Sequence, residues 1–369
     1  MELHRINVAR FPDAPPIKIE PHAPSHPSKD LYVIGITGTN GKTTVSHLIG
    51  EVLKSAGHNP FVLGTLNSGN KDLSTPESKD ISRFMNTHLS KGGTHFVMEV
   101  TSEGIDQARV LGIDFNLKLL TNITQDHLDY HKTFKKYQKT KLDFMGEGRA
   151  HKIYPKCFKN VPIEFATRLL GDFNLLNIKA AASVLRHIGV PEKYIQKTLS
   201  SCSPPRGRME HVDMGQPYMV LVDYAHTPDG LQNVLRTLKD IARSRNGRLL
   251  VLFGCGGNRD RGKRPKMGKI AGDMADLLVI TDDNPRREDS SIIMDEILRG
   301  VDPDFQDCVL IQDRRAAIEY IIHQSRDNDV VILAGKGHET SQITKSGTIH
   351  FDDFEEAANA ISTRLKPKS

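Results

Sequence analysis

The chain has 369 residues, more than one hydrophobic core usually holds, and this length predicts two domains. Hydrophobic residues make up 38% of the chain and charged residues 26%, which is typical of a soluble globular protein. The net charge is +5 with Lys and Arg dispersed along the chain, which favours small anionic ligands over a nucleic-acid surface.

The chain also lacks the marks of export or membrane insertion. Its four cysteines are widely spaced, with no CxxC or CxxH pattern that would indicate a metal clip. No apolar stretch reaches the ~18 residues of a membrane span, and the N-terminus has no signal-peptide core. We therefore expect a cytoplasmic monomer that binds small-molecule substrates, and neither membrane nor nucleic acid.

Residues 1–30 contain the run PDAPPIKIEPHAPSHP, which cannot form a helix and predicts an extended arm. From residue 31, short apolar strands alternate with helical patterns, which is typical of a parallel sheet flanked by helices. The predicted strands of this series are Leu31–Ile36, His95–Val100 and Leu117–Thr121.

The segment SCSPPRGRMEHV at 201–212 interrupts this alternation, and a second strand–helix series follows it. Its predicted strands are Tyr218–Val222, Arg248–Phe253, Leu277–Thr281 and Val330–Ala334. The predicted organisation is an arm at 1–30, a first α/β domain at 31–203 and a second at 204–369.

The run GITGTNGKTT at 35–44 lies between a predicted strand and a predicted helix. Gly38 and Gly41 allow backbone amides to turn toward phosphate oxygens, Lys42 can reach the terminal phosphates, and the Thr43 hydroxyl suits Mg²⁺. Gly35 lies one residue too far upstream for a strict Walker pattern. A simple turn is the alternative, but a turn would not need the Lys-Thr-Thr that follows Gly41.

Two further segments of the first domain carry polar residues directly after a strand. In FVMEVTSEGIDQAR, Glu99 ends a strand and can hold Mg²⁺, the alternative being a surface acid. In TNITQDHLDYH, His127 is either a metal ligand or a structural histidine, since magnesium prefers oxygen. Downstream, Lys141 shares a predicted helix with several other lysines, and this pattern alone predicts a solvated face.

The second domain has polar loops after its strands. In LVDYAHTPDGL at 221–231, residues 227–229 predict a helix cap, which leaves Asp223 and His226 without a structural reason. The loops at 253–268, 282–289 and 335–339 each follow a strand, and three such loops on one sheet would form one pocket. Arg259 and Arg286 could clamp a carboxylate while Glu339 accepts from an ammonium, a combination that fits an amino acid. The alternative is that these loops are ordinary surface.

Together these segments resemble the Mur ligases, and most closely the MurE branch, which adds the third residue of the peptidoglycan stem peptide. They occur in the family's order and cover nearly all of residues 31–340. The matching runs are GTNGKTT, STPES, MEVTSEGIDQAR, TNITQDHLDYH, GDFNLLN, PPRGRME, VDYAHTPDGL, FGCGGNRDRGKRPKMG, TDDNPRRED and AGKGHE.

The resemblance implies an enzyme that uses ATP and Mg²⁺ to phosphorylate an acceptor carboxylate, after which an amine attacks the acyl phosphate and gives an amide, ADP and phosphate. It implies catalytic roles for Lys42, Glu99, His127 and Lys141. Thr43 would hold Mg²⁺ beside ATP, Glu99 and His127 would lie around a second ion, and a carbamylated Lys141 would supply a metal-facing carboxylate. This last role reverses the solvated-face interpretation of Lys141. The implied ATP-binding residues are Gly38, Thr39, Asn40, Gly41, Lys42, Thr43, Thr44, Asn174, Arg208, Asp223 and His226.

The resemblance also assigns the two other substrates. The implied acceptor-binding residues are Ser74, Thr75, Thr101, Gln107 and Arg109. The implied amino-acid-binding residues are Arg259, Asn284, Pro285, Arg286, Gly335 and Glu339. The run DNPR resembles the signature of the meso-diaminopimelate-adding subgroup, because the distal carboxylate of diaminopimelate needs an arginine that lysine would leave unpaired.

Three features depart from the family pattern. Only about thirty residues precede the phosphate-loop strand, where the family usually has a domain for the uridine nucleotide. A short segment follows Lys141 where several more strands are common, and VTSEG replaces VSSHG, with Glu103 at the histidine position. The acceptor is accordingly a UDP-linked, a shortened or a non-nucleotide muropeptide, or a protein partner supplies the missing surface.

The prediction is an α/β ligase with a central P-loop ATPase domain, a mostly parallel sheet and a C-terminal Rossmann-like domain. It joins meso-diaminopimelate to a muramoyl-L-Ala-D-Glu-type acceptor, with a hinge at 201–207. The alternatives are a MurE-like ligase with a different acceptor and a non-catalytic nucleotide-binding partner subunit.

Overall fold

The computed structural model describes residues 26–68 and 73–366. Most of the predicted N-terminal arm, residues 1–25, lies outside this part. Its described end forms a short 3-10 helix, Pro27–Asp30, with Pro27 in the first turn. Two sheets and one hairpin make up the β structure of the described residues.

The first sheet, called sheet A, is entirely parallel, with the strand order β2-β3-β1-β4-β5. Its strands are β1 (Tyr32–Thr37), β2 (Pro60–Leu63), β3 (His95–Glu99), β4 (Leu117–Leu120) and β5 (His151–Ile153). Eight helices accompany it: α1 (Lys42–Ser55), α2 (Ser78–Leu89), α3 (Ser102–Asp106), α4 (Leu128–His131), α5 (Phe134–Gly146), α6 (Pro155–Phe158), α7 (Asp172–His187) and α8 (Glu192–Ser201).

The second sheet, called sheet B, has the order β10-β9-β8-β11-β7-β6, and only β6 runs antiparallel to its neighbour. Its strands are β6 (Glu210–His211), β7 (Met219–Asp223), β8 (Leu249–Phe253), β9 (Leu277–Ile280), β10 (Cys308–Leu310) and β11 (Val330–Ala334). The hairpin consists of β12 (Ser341–Thr344) and β13 (Gly347–His350). The remaining helices are a 3-10 helix at Arg261–Lys263, α9 (Pro228–Ser244), α10 (Arg264–Met274), α11 (Ser290–Leu298), α12 (Arg314–Gln324) and α13 (Asp353–Leu365).

Each sheet is covered on both faces by apolar side chains, as parallel sheets usually are. In β1, Ile34 and Ile36 pack with residues of α1, α7 and α8, whereas Val33 packs on the other face with α2 and α5. In β8, Leu249 and Val251 likewise pack toward α9 and α10, while alternate residues face α12 and α13. Because side chains alternate between the two faces of a strand, each sheet contributes to two hydrophobic cores, one on each face.

The structure confirms the predicted α/β architecture with mainly parallel sheets. The seven predicted strands all occur, with ends shifted by at most one residue. The predicted cap also occurs, since Thr227 Oγ1 accepts from the amide of Gly230 at 3.0 Å. The chain passes from sheet A to sheet B between α8 and β6, and the boundary at residue 203 stays a prediction.

In the part of the chain described, no helix combines the length and apolar character needed to cross a bilayer. The parallel strands of each sheet end at one common edge, and the polar loops described below leave the sheets there.

Candidate active site

The glycine-rich loop between β1 and α1 has no room for side chains at two positions. Gly38 has φ +147°, and a Cβ there would lie 1.9 Å from Thr121 Oγ1. Gly41 has φ +86°, and a Cβ there would lie 2.4 Å from Asn177 Oδ1. Both positions therefore require glycine, and the loop backbone can closely approach an anion at the N-terminus of α1.

The other residues of this loop are held by the segment after β4. The Thr39 hydroxyl lies 2.8 Å from the hydroxyl of Tyr137, and the amide of Asn40 donates to Asn122 Oδ1 at 2.9 Å. Thr44 is buried in the first turn of α1. The loop is thus fixed before any ligand binds.

Two lysines converge on one carbonyl of the loop. Lys42 Nζ donates to Gly38 O at 2.9 Å, and Lys141 Nζ donates to the same oxygen at 3.0 Å. Burial lowers the pKa of Lys42, and burial together with the Lys42 charge lowers the pKa of Lys141 well below its usual range. Lys141 is 1% exposed, so the solvated face predicted from the lysine pattern alone is wrong.

Glu99 at the end of β3 is the centre of a cluster of hydroxyl groups. Its Oε2 accepts from Thr43 Oγ1 at 3.1 Å and from Thr65 Oγ1 at 3.0 Å, and its Oε1 accepts from the amide of Thr65 at 3.0 Å. Ser74 Oγ lies 2.8 Å from Thr65 Oγ1. All the atoms of this cluster that could bind a metal ion are oxygens, which is the ligand type that Mg²⁺ prefers.

His127, at the N-terminal cap of α4, lies in a separate network. Its Nδ1 is 2.6 Å from Glu103 Oε1, and its Nε2 is 3.2 Å from Asp126 Oδ2. Burial lowers the pKa of His127, but the two carboxylates outweigh burial and raise it. Burial raises the pKa of Glu103, but the imidazole brings it down to about 2. The charges of Glu99, Asp126 and Glu103 all oppose the burial that lowers the pKa of Lys42.

The predicted acceptor residues come together around the start of α3. Thr75 Oγ1 donates to Glu99 O at 3.0 Å and accepts from the amide of Thr101 at 2.9 Å. Arg109 Nη1 donates to Thr75 O at 2.9 Å, and Arg109 also pairs with Gln107. Since Ser74 precedes Thr75 and contacts the Glu99 cluster through Thr65, the five residues adjoin the phosphate loop.

Arg208 and Asp223 connect sheet B to the phosphate loop. Arg208 Nη2 donates to Thr43 Oγ1 at 3.2 Å, and its guanidinium lies 4.4 Å from the ring centroid of Tyr224. Asp223 accepts from two backbone amides at 2.7 Å each, while burial raises its pKa to about 6. Arg208, two residues before β6, is thus a cation that contacts the candidate magnesium ligand Thr43 in α1.

Asn174 and His226 are also near the phosphate loop, by indirect contacts. Asn174 Oδ1 accepts from Asn177 Nδ2 at 3.1 Å, and Asn177 Oδ1 is the atom that closes the space at Gly41. His226 Nε2 lies 3.9 Å from Asp126 Oδ2, and burial lowers the pKa of His226 to about 4.

Direct hydrogen bonds join the loops of the two sheets. Asn40 Nδ2, in the phosphate loop, donates to Asp229 Oδ2 in the first turn of α9 at 2.8 Å. Lys266 Nζ donates to Gln125 Oε1 at 2.7 Å. The carboxyl edges of sheets A and B therefore face one another across the phosphate loop.

The predicted hinge region is tightly packed at its C-terminal end. Gly207 has φ +66°, and a Cβ there would lie 2.1 Å from the amide nitrogen of His338 and 2.3 Å from the carbonyl carbon of Gly337. The amide of Gly207 donates to Glu210 Oε2 at 2.7 Å, and the neighbouring Arg206 pairs with Asp352.

The predicted amino-acid residues gather on loops after β8, β9 and β11. Asn284 Nδ2 donates to Glu339 Oε2 at 2.8 Å, and Arg286 Nη1 donates to Gly257 O at 3.1 Å. Burial raises the pKa of Glu339. Arg259 is exposed, and its guanidinium lies 3.9 Å from Asp129, two residues beyond His127.

Backbone packing holds these loops together. A Cβ at Gly257 would lie 1.9 Å from Pro285 O, and a Cβ at Gly335 would lie 3.1 Å from Asp283 Oδ2. Arg286 has φ +54°, an uncommon conformation for arginine, and its amide donates to Ile343 O at 2.9 Å.

Several residues of this region were missed by sequence reasoning. Thr65 belongs to no pattern that predicts a site, although it comes two residues after the end of β2. Asp126 and Asp229 lie within the runs TNITQDHLDYH and VDYAHTPDGL, but neither was assigned a role in the site. Glu103 was noted only as a departure from the family pattern, and its contact with His127 gives it a role.

Two protein-family models match the chain. The Mur ligase middle domain matches residues 36–154, and the domain described as Mur ligase, glutamate ligase domain matches residues 207–337. A protein of Syntrophomonas wolfei subsp. wolfei named UDP-N-acetylmuramoyl-L-alanyl-D-glutamate–2,6-diaminopimelate ligase is 35% identical over 394 residues, which cover 92% of this chain and 80% of the relative. The chain belongs to the Mur ligase family.

Other Mur ligases agree with this assignment. A protein of the same name from Clostridium tetani is 38% identical over 380 residues, covering 89% of this chain and 77% of the relative. A solved structure bearing that name superposes with a TM-score of 0.55 at 30% identity, covering 91% of this chain and 79% of that chain.

Membership of the Mur ligase family settles the class of reaction. Mur ligases are ATP-dependent, ADP-forming ligases that act on small molecules in peptidoglycan precursor synthesis, and this chain is an enzyme of that class. The predicted family, the ligase activity and the use of ATP are confirmed, and the non-catalytic alternative is set aside.

Proposed function

We propose that this Mur ligase joins meso-diaminopimelate to the peptide carboxylate of a muramoyl-L-Ala-D-Glu-type acceptor through an acyl phosphate. The observation that carries the proposal is the Asn284–Glu339 hydrogen bond, at 2.8 Å, which joins the loop after β11 to the loop after β9 that also carries Arg286. Relatives at 35% and 38% identity are named for 2,6-diaminopimelate, which agrees with this choice of amino acid.

In the first step, an oxygen of the acceptor carboxylate bonds to the γ-phosphorus of ATP. The bond from that phosphorus to the β,γ-bridging oxygen breaks, and ADP leaves. Lys42 supplies positive charge at the N-terminus of α1, and Arg208 supplies it from the segment before β6. Both cations are positioned before the reaction, so they stabilise the transferred charge without large reorganisation.

In the second step, the amine nitrogen of diaminopimelate attacks the acyl carbon. The carbon–nitrogen bond forms, the bond from carbon to the phosphate oxygen breaks, and the amine gives up a proton as phosphate leaves. Arg286 pairs with the distal carboxylate and Glu339 accepts from the distal ammonium, while Asn284 orients Glu339. Arg259, Pro285 and Gly335 complete this pocket.

A magnesium ion suits the cluster of Thr43, Thr65 and Glu99, because every donor there is an oxygen. Bound there, the ion would supply charge neutralisation for the phosphates. We assign His127 and a carbamylated Lys141 to a second ion, with Asp126 as an added oxygen donor beside His127 Nε2. Lys141 suits carbamylation because burial and Lys42 favour its neutral amine, the form that attacks CO₂.

The acceptor peptide is proposed to bind through Ser74, Thr75, Thr101, Gln107 and Arg109. The remaining phosphate-loop residues, with Asn174, Asp223 and His226, are proposed to hold the nucleotide. Domain 204–369 would close on domain 31–203 about residues 201–207, and the protein would work as a cytoplasmic monomer. Scattering curves with and without ATP and acceptor should differ, and identical curves would refute closure.

A panel of acceptors tests the proposal. Muropeptide acceptors with and without the UDP group are each combined with meso-diaminopimelate or L-lysine, and phosphate release is measured. We expect release with diaminopimelate and a muropeptide acceptor, with little release for lysine. Equal turnover with both amino acids, or turnover without any muropeptide, contradicts the proposed function.

A further inference from the structure

A fully buried lysine lies beneath the proposed amino-acid pocket. Lys336, directly after β11, is 0% exposed. Its Nζ donates to Ser341 O at 2.7 Å, to Glu339 Oε2 at 3.1 Å and to Asn284 Oδ1 at 3.4 Å. Two of these three acceptors are residues that the proposed function assigns to the amino acid, yet the mechanism above gives Lys336 no part.

The charges of the loops after β9 and β11 divide into two groups. Several are paired away from the pocket: Asp282 with Ser290 and Arg314, Glu288 with Arg264, Asp289 with the first turn of α11, and Arg314 with the buried Asp353. Arg287 is exposed. The others are Arg286, Lys336, which pairs with Glu339 at 3.1 Å, and Asp283, whose charge acts on Glu339. The loop after β8 adds Arg259, which the proposed function also places in the pocket.

The ionisation of Glu339 depends on Lys336. Burial and the Asp283 carboxylate raise the pKa of Glu339, whereas Lys336 opposes that rise. His338 adds no positive charge at neutral pH, because burial lowers its pKa to about 3. Without Lys336, Glu339 would lose the cation that pairs with it at 3.1 Å, and the pocket would carry one positive charge less.

We propose that Lys336 sets the charge selectivity of the amino-acid pocket, so that the pocket accepts a distal group with no net charge and disfavours a cation. The distal end of diaminopimelate carries one ammonium and one carboxylate, whereas the distal end of lysine carries an ammonium alone. Lys336 holds Glu339 and Asn284 in place and also supplies the charge that penalises lysine. This inference rests on the proposed function and names a selectivity residue for it.

The test compares wild type with Lys336→Gln, which keeps a donor toward Ser341 and removes the charge. Values of kcat/KM are measured for meso-diaminopimelate and for L-lysine, with the KM for ATP as a separate readout. We expect the ratio of diaminopimelate to lysine to fall by about tenfold, with the KM for ATP unchanged. The matched control is Lys345→Gln, an exposed lysine in the turn between β12 and β13, which should keep the wild-type ratio.

A second variant, which removes a negative charge instead of a positive one, tests the inference if Lys336→Gln does not fold. Glu339→Gln removes one negative charge and leaves Arg286 in place, so it should lower both rates but raise the diaminopimelate-to-lysine ratio above that of wild type. A purely structural role for these residues would lower both rates equally. Unchanged ratios in the folded variants would therefore overturn the inference.

The proposed function and this inference fail in different ways. If wild type releases no phosphate with diaminopimelate, the proposed function fails, and the selectivity inference falls with it. If wild type uses diaminopimelate but Lys336→Gln keeps the wild-type ratio, the inference fails alone.

Discussion

Steric exclusion shapes the phosphate loop, whereas paired charges shape the amino-acid loops. At Gly38 and Gly41, added Cβ atoms would lie 1.9 and 2.4 Å from neighbouring side chains. At Glu339, the position of the carboxylate is set by Asn284 and by Lys336, both through hydrogen bonds. A tight backbone cradle suits phosphates, which every ATP-dependent relative must bind, while a charge pattern can distinguish one amino acid from another.

The largest effect is expected where steric exclusion is greatest. Gly38→Ala places a methyl group against Thr121 and forces a left-handed backbone on alanine, so we expect a loss of about 3 to 4 kcal/mol in the free energy of unfolding and no detectable ATP turnover. Gly57→Ala is the control, because Gly57 has φ +87° with no atom within 4 Å of the added Cβ. Its cost should be only about 1 kcal/mol in urea titrations. Equal losses would show that backbone strain, not crowding, dominates at Gly38.

The next effect concerns Lys141, whose amine donates to the same Gly38 carbonyl as Lys42. Lys141→Met removes the amine and keeps most of the apolar stem, so kcat should fall on the order of 10²- to 10³-fold if the side chain serves charge stabilisation. With ¹³C-labelled bicarbonate, wild type should give a carbamate resonance that the variant lacks. Lys139→Met, on the exposed face of α5, should keep both the activity and the resonance. A wild-type spectrum without that signal would contradict carbamylation.

A smaller effect is expected in the charge-based pocket. Arg286→Ala should raise the KM for diaminopimelate by about thirtyfold, equivalent to about 2 kcal/mol, since the distal carboxylate loses its partner. The KM for ATP should stay near the wild-type value. Arg287→Ala removes an adjacent exposed guanidinium and should leave both constants unchanged. If the KM values for ATP and diaminopimelate rise equally in Arg286→Ala, the assignment of Arg286 is wrong.

The smallest effect is a pH dependence of the Glu103–His127 pair. The pKa of Glu103 falls from 4.5 to about 2 in the folded protein, so its contribution to stability is present above pH 4.5 and is lost as pH falls toward 2. The pKa of His127 is raised from 6.5, so its contribution is present below pH 6.5 and is lost as pH rises through the raised value.

Glu103→Gln should therefore lower the free energy of unfolding most between pH 4.5 and 6.5. The expected loss is about 1 kcal/mol, because His127 is partly exposed and water screens the pair. Urea titrations below, within and above this window measure it. Glu77→Gln, which removes an exposed partner of Arg109, should show less than about 0.5 kcal/mol. If Glu103→Gln lowers the free energy of unfolding by the same amount at every pH, the ion-pair explanation is refuted.

Local patterns in the sequence predicted the features that are determined by interactions between residues close together in the chain. The strands, the cap at Thr227 and the placement of three polar loops on one sheet edge follow from periodicity and from the geometry of parallel strands. The burial of Lys141 did not follow, because its neighbours Lys135, Lys136 and Lys139 suggest a solvated face and only the packing of α5 against the phosphate loop reverses this.

The contacts that sequence reasoning missed are long-range ones. Thr65 reaches Glu99, Asn40 reaches Asp229, and Lys336 reaches Asn284, each across more than thirty residues of chain. No spacing rule encodes such pairs, since they depend on how neighbouring strands bring their loops together. The family resemblance supplied the roles of residues, but not their hydrogen-bond partners.

The turn at Gly207 has a mechanical consequence. Its α-carbon has no space for even a methyl group beside the peptide that links Gly337 to His338, so the proposed hinge and the loop of Glu339 are in backbone contact. In the proposed closure, rotation of this turn would displace the loop that carries Glu339. Opening of the enzyme would then alter the proposed amino-acid pocket in the same movement.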